Sequence, residues 1–417
     1  MAVSSVQART QAFFNERKEE DRDRLRKVVI GAFVVALYPI IDNIFGLGLL
    51  PSLIPLIMYA ILALGLNIVV GYAGLLDIGY VAFFIIGVYS QAFLTSPNSI
   101  FVRNGLVPEF VQNFWVAMLF GWILSAIFGV IIGAPTLRLR GDYLAIVTLG
   151  FGEIVPDFFT NAAAITGGPR GIGQIAKPPT IPLPGDRSIS FSTVDHTEWF
   201  YLLMAVGLIS IFMITRLYDS RMGRAWQAIR EDEIAAASVG IPPVATKLWA
   251  FALGASFAGF AGSVYGGYVQ VVYPDQFQFS LSILILSMVI LGGIGNIYGV
   301  LAGALIIGTF DRILAVKLTG PLNALGRQMM EWGGPFEDLG KFFSQHSLTS
   351  DRFLIFGLAL VLVMILRPGG LFPSKQRAAE MAGDDDNYDF DDYETNQTLR
   401  AARRIWTARR FSASAFR

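Results

Sequence analysis

Long apolar runs separated by short polar stretches dominate the chain. Those at 28–49, 53–70, 113–135, 198–217, 245–271 and 351–367 are close to the length needed to cross a hydrocarbon core of about 30 Å, which takes about 20 helical residues. Two more are broken by polar positions: 74–96 is apolar apart from Asp77, and 142–162 carries Glu153, Pro156 and Asp157, so both are expected as interrupted or tilted spans. Residues 280–316 run for nearly twice a single crossing, with Gly292, Gly293, Gly295 and Asn296 near the middle. Cut at those glycines, the run becomes a helical hairpin. The pattern predicts an all-α polytopic membrane protein of about ten transmembrane helices, some of them interrupted.

Composition agrees with this. Of 417 residues, 54% are hydrophobic and 15% charged, whereas soluble domains carry about a quarter charged residues. The charges sum to zero, which gives no electrostatic case for nucleic acid. No cysteine is present, so disulfides, thiolate metal sites and cysteine nucleophiles are excluded. Residues 1–27 are polar without a short apolar core, which argues against a signal peptide. They hold Arg17, Lys18, Arg22, Arg24, Arg26 and Lys27, and basic loops stay on the cytoplasmic side. Alternation from that point puts Arg138, Arg140, Arg216, Arg221, Arg224, Arg230, Lys247 and the C-terminal Arg367, Lys375 and Arg377 inside as well. Both termini are therefore expected in the cytoplasm.

Charge within a span costs several kcal/mol unless it is paired or wet. Glu153 and Asp157 are four residues apart, on one helix face that avoids lipid. They are candidates for the translocation path, against the alternative of pairing with hydroxyls or with backbone freed by Pro156. Asp77, between Gly74 and Gly79, is open to a capping role or a solute contact, and Tyr80 is a further candidate for the path. Small residues at Ala255, Ala258, Gly259, Gly262, Gly266, Gly295, Gly299 and Gly303 suit close helix packing. No nucleotide-binding GxxxxGK[ST] motif occurs. His196 and His346 lie in separate polar loops, leaving neither a metal cluster nor a catalytic triad to assemble.

The polar segment SRMGRAWQAIREDEIAAASVGIPP, 220–243, lies between two spans. Its middle, Ala225 to Val239, is expected to form one short helix bounded by Gly223 and by Gly240 with the proline pair 242–243. By physics alone it is either a solvated connector or a lever for docking to a separate motor domain.

Glu233-Ile234-Ala235-Ala236 followed by Gly240 resembles the EAA-type loop of importer permeases. GYAGLLDIGYVAFF (71–84), LRLRGDYLAIVTLGFGEI (137–154), ITGGPRGIG (165–173), LGGIGNIYGVLAGA (291–304) and RPGGLFP (367–373) extend the likeness over about residues 53–375. Together they resemble the permease family of branched-chain amino acid ABC importers, and within it the longer of the two paired permeases. The resemblance implies a subunit of the bacterial inner membrane that is not an enzyme and binds no cofactor. ATP would be used by two partner ATP-binding subunits. A second permease subunit, expected to be a different chain, and a periplasmic or extracellular solute-binding protein would complete the assembly. It also implies a coupling helix within 220–243, with Arg224, Arg230, Glu231 and Glu233 as polar contacts to the ATPase and Ala235, Ala236 and Gly240 allowing close docking. Related permeases carry urea or short amides, so the solute stays open between these and branched-chain amino acids. A stand-alone channel or ion-driven carrier, with Glu153 and Asp157 as proton or cation sites, is the alternative from another class.

Three parts make up the expected domain organisation: a tail over 1–27, a permease domain over 28–375 and a charged tail over 376–417. Within the permease domain, 318–350 reads as a polar outer insertion. The C-terminal tail joins an acidic run, 384–394, to a basic one holding Arg403, Arg404, Arg409 and Arg410, a composition typical of disordered polypeptide.

Overall fold

A computed structural model describes residues 35–137, 142–182, 188–192, 196–332, 351–367 and 369–373, with a few isolated positions besides. The expected tails, the residues Arg138 and Arg140, and most of 333–350 lie outside the described residues.

Helices account for nearly all of the described chain: α1 (Tyr38–Phe45), α2 (Leu50–Asn67), α3 (Val81–Thr95), α4 (Phe114–Thr136), α5 (Asp142–Asn161), α6 (Thr197–Tyr218), α7 (Arg221–Glu231), α8 (Glu233–Ser238), α9 (Pro243–Val269), α10 (Phe279–Gly292), α11 (Ile297–Thr309), α12 (Ala315–Trp332) and α13 (Arg352–Leu366). One antiparallel pair, β1 (Ile181–Pro182) with β2 (Ser188–Ile189), is the extended exception. Among the described residues, seven helices are long and apolar enough to cross a membrane, with α13 a shorter apolar helix. The 74–96 run is interrupted as expected. Ala73 to Tyr80 is non-helical, and only from Val81 does α3 begin.

Two boundaries differ from the pattern-based expectation and one agrees with it. Helix α5 runs unbroken through Pro156 to Asn161, with the Thr160 hydroxyl donating to the Pro156 carbonyl at 3.0 Å. The hairpin cut falls where the glycines put it: α10 ends at Gly292, and the Asn296 side chain caps α11 by accepting from the Tyr298 N–H at 3.1 Å. Beyond this, however, the helix does not stop at 316. It continues through a π-helical turn, Phe310–Leu314, into α12, so 318–332 is helical and continuous with the preceding span. This 34-residue helix is about 51 Å long at 1.5 Å per residue, well beyond the hydrocarbon thickness.

Helix α9 is the central element and packs most extensively on α4 and α3. Small residues make these contacts possible, as expected. A Cβ on Gly87 would lie 2.5 Å from the Cα of Gly259, and one on Gly262 would lie 2.4 Å from the Phe84 carbonyl oxygen. The hairpin closes in the same way, since a Cβ on Gly303 would meet the Met288 carbonyl at 2.1 Å. Inside lipid, such backbone proximity supplies the van der Waals contact that holds helices together.

The motifs gather at two opposite ends of the bundle. At one end Asn67 Oδ1 accepts from the Gly295 N–H at 2.9 Å. There the 369–372 segment joins α10, with the Leu371 and Phe372 N–H groups donating to Leu291 O and Gly292 O at 2.9 and 3.0 Å. At the other end Ile172 and Val272 exchange both backbone hydrogen bonds at 3.0 Å, and the Ser96 hydroxyl donates to the Gly173 carbonyl at 2.5 Å.

Candidate functional site: the braced 220–243 loop

The 220–243 loop starts one turn earlier than expected and is two helices, not one. The Ser220 side chain caps α7 by accepting from the Gly223 N–H at 3.2 Å, which places Gly223 inside the helix. Asp232 then breaks the run in an extended conformation (φ −152°). Its carboxylate accepts from the N–H groups of Ile234 and Ala235 at 2.8 and 3.0 Å and so starts α8. The side chain of an aspartate competes for exactly the donors that a continuous helix would use. Gly240 ends α8 at φ +89°, a left-handed conformation that costs a non-glycine residue.

Helix α7 presses one face onto the bundle. Trp226 is fully buried and its Nε1–H donates to the Thr246 carbonyl at 2.7 Å. Ile229 is buried beside it. Arg230 turns inward: its guanidinium donates to the Gly71 carbonyl at 2.6 Å, and its stem covers Gly74, where a Cβ would lie 2.8 Å from the Arg230 Cγ. Helix α8 is tied to the start of α9 by an ion pair between Lys247 Nζ and Glu233 Oε2 at 2.6 Å. The loop is therefore clamped to α2, through its terminal π-helical turn Ile68–Tyr72, and to α9.

The seven residues that resemblance placed in this loop divide into two groups. Arg230, Glu233 and Ala236 are engaged within the chain, Ala236 by burial. Arg224, Glu231, Ala235 and Gly240 are exposed, and Arg224 also donates to the Asp219 carbonyl at 2.8 Å. Sequence reading missed the apolar part of the exposed face, Ile234 and Val239, which are 75% and 78% accessible. The missed braces had partial signals: Asp232 stands directly before an alanine-rich helical run, and Trp226 is the one large aromatic of the loop.

The candidates in the spans are also separated by the structure. Asp77 is buried; its Oδ1 accepts from the Gly79 N–H at 3.0 Å, a capping turn, while Oδ2 has no partner among the described residues. Next to it Ile78 N–H donates to Thr148 Oγ1 at 3.2 Å, and a Cβ on Gly152 would lie 2.9 Å from the Gly79 Cα, so the 71–84 and 137–154 motifs pack on each other. Tyr80 is fully buried and donates to the Gly254 carbonyl at 2.8 Å. Glu153 and Asp157 lie together on an exposed face of α5 with Ile154 and Phe158, and no ion pair holds them among the described residues.

Apolar helices long enough to cross a membrane, packed through glycine-mediated crossings, define a polytopic membrane protein. The chain belongs to the family described as branched-chain amino acid transport system / permease component, whose profile matches residues 48–330. It is a transport subunit and not an enzyme. It is 38% identical over 331 residues to the high-affinity branched-chain amino acid transport system permease protein LivM of Salmonella typhimurium, covering 76% of this chain and 68% of that one. It is similar at 24% identity to the probable LivM of Methanocaldococcus jannaschii, over 76% of this chain and 91% of that one. The likeness to the permease LivH of Escherichia coli is 25%, over 66% of this chain and 92% of that one. No solved structure matches the chain.

Proposed function

We propose that this chain is one of two membrane-spanning subunits of an importer for branched-chain amino acids, driven by separate ATP-hydrolysing subunits that dock on α7 and α8. The observation that carries the reading is the clamped inner loop. A short helix pair held by Trp226, Arg230 and Glu233 transmits a push to α2 and α9 instead of absorbing it, and it presents Ile234, Ala235, Val239 and Gly240 outward. An apolar patch with a polar rim from Arg224 and Glu231 has the anatomy of a protein interface. The similarity to both LivM and LivH supports a second, related permease as partner. The docking loop belongs on the cytoplasmic face, which puts the N terminus there too.

In the same reading, the exposed face of α5 with Glu153 and Asp157 is turned toward the partner permease and the path between the two, where a carboxylate stays hydrated. Coupling is tested by Ile234→Glu and Val239→Glu in the assembled importer. Membrane insertion and permease pairing persist, while solute-stimulated ATP hydrolysis and co-purification of the ATPase subunits fall at least about ten-fold, as expected for losing an interface anchor. Unchanged coupling in both variants overturns the docking assignment. Uptake of labelled leucine against labelled urea by cells carrying the importer decides the solute.

A further inference from the structure

The π-helical turn at Phe310–Leu314 opens onto a second feature, away from the inner loop. It places Asp311 and Arg312 in a cavity of about 290 Å³ walled by Tyr59, Phe84, Tyr265 and Phe277 and closed by Arg352 from the first turn of α13. Arg312 lies about 22 Å along the helix from Ile297 at the inner end, at 1.5 Å per residue, so the cavity belongs to the outer part of the bundle. Single π-helical turns within α-helices recur at functional sites, because the extra residue redirects side chains that a regular helix would send elsewhere.

The charges are built in with care. Asp311 is buried, and its two oxygens meet Arg312 Nε and the Arg352 guanidinium, each at 3.2 Å. Arg312 also donates to the Tyr59 hydroxyl, and its guanidinium lies 5.1 Å from the Tyr59 ring centroid. Two arginines against one carboxylate leave one net positive charge in a cavity lined by aromatic, aliphatic and polar side chains together. Both guanidiniums remain about one-third accessible, at 38% and 34%. Planar guanidinium donors match a carboxylate, and Phe84, Phe277, Leu281 and Leu284 on the same lining offer an apolar surface to a side chain. The volume is at the small end of the roughly 300–1,000 Å³ that such sites span.

We propose that this cavity is a solute site of the permease itself, in which Arg312 and Arg352 hold the carboxylate of an apolar α-amino acid and the aromatic wall takes its side chain. The site rests on the reading that the importer carries amino acids. It is separate from the α5 face and would receive the solute at the outer end of the bundle, before passage toward the inner one.

The test measures binding of labelled leucine to the purified permease pair in lipid nanodiscs, without the solute-binding protein. Competitors are 4-methylpentanoate, which keeps the carboxylate, and leucinamide, which lacks it. Leucine binds the unsubstituted pair, 4-methylpentanoate competes and leucinamide does not. Arg312→Gln weakens leucine binding at least about ten-fold, as expected for a charge-assisted hydrogen bond. Ser280→Leu, which narrows the cavity without touching its charges, weakens leucine and 4-methylpentanoate together. Unaltered leucine affinity in both variants, or equal competition by leucinamide, overturns the site. An anionic lipid headgroup offers the same chemistry to Arg312, so discs of phosphatidylcholine alone are compared with discs containing phosphatidylglycerol. No leucine binding in either disc, with phosphatidylglycerol retained by the purified pair and released by Arg312→Gln, assigns the cavity to lipid and overturns the proposal. Leucine uptake by the complete importer is scored in parallel. Uptake with no binding to the pair defeats the cavity alone, whereas absent uptake defeats the amino acid reading, and 4-methylpentanoate binding then still decides whether the cavity holds a carboxylate.

Discussion

Arg230 in the 220–243 loop donates to the carbonyl of Gly71, 159 residues earlier in the chain, at 2.6 Å. The bond joins the last turn of α7 to the π-helical end of α2, and most of the length of α2 is buried. A hydrogen bond from a charged donor is worth about 1.5–3 kcal/mol. Under the proposed coupling role of the loop, its place between loop and span assigns it to transmission more than to docking.

Arg230→Ala is therefore expected to leave ATPase subunits bound while lowering uptake per ATP hydrolysed. Arg230→Lys, which keeps the charge but loses the fork geometry, falls between the two. The measurement is the ratio of transport to hydrolysis in proteoliposomes; loss of ATPase binding instead would place Arg230 at the interface.

The Glu233 and Lys247 pair makes a second link, between α8 and α9. Glu233→Lys and Lys247→Glu are each expected to reduce coupling, and the doubly reversed protein to regain it. Because the Glu233 side chain is 39% accessible, its stability share is limited to about 1 kcal/mol. A double-mutant cycle on thermal unfolding checks this, and additive single effects would refute the link.

Tyr80 is satisfied by Gly254 and enclosed by Gly65 and Phe257. Tyr80→Phe is expected to cost about 0.5–1.5 kcal/mol of stability with the KM for solute unchanged. A KM shift without a stability loss would return Tyr80 to the solute path.

Gly87 and Gly259 bring α3 and α9 into backbone contact. Gly87→Ala forces the helices apart and is expected to destabilise the purified protein by about 1–3 kcal/mol, the usual cost of overpacking. Gly357→Ala in α13, where a Cβ meets nothing within 4 Å, is the matched control and should be neutral or stabilising. Detergent melting curves separate the two.

Glu153→Gln and Glu153→Leu distinguish a hydrated face from a lipid-facing one. If α5 turns this face to a water-filled path, the glutamine variant inserts and assembles like the parent, and the leucine variant assembles but loses transport. Raised stability of the leucine variant with full transport would mean that the face meets lipid.

Much of this architecture was legible without tertiary structure, because membrane spans are dictated by length and apolarity and the bilayer tolerates few alternatives. The hairpin at 292–296 was legible from glycines followed by a capping asparagine, both of them local signals. The break at Asp232 is local as well, yet alanine-rich residues after it suit a continuous helix equally, and which state wins depends on Glu233 and Ala236 finding partners on α9 and the bundle.

What the sequence by itself determined is the membrane residence, the interrupted run before α3, the glycine crossings and the position of the 220–243 loop along the chain, all of which follow from composition, periodicity and short-range chemistry. Tertiary structure alone decided where the polar side chains point. Arg230 is aimed at Gly71 and Tyr80 at Gly254, 174 residues away, and Arg312 and Arg352 converge on Asp311 from different helices. An ion or hydroxyl within a bundle is satisfied by whichever group the packing brings within 3 Å, and nothing in the flanking sequence records that group.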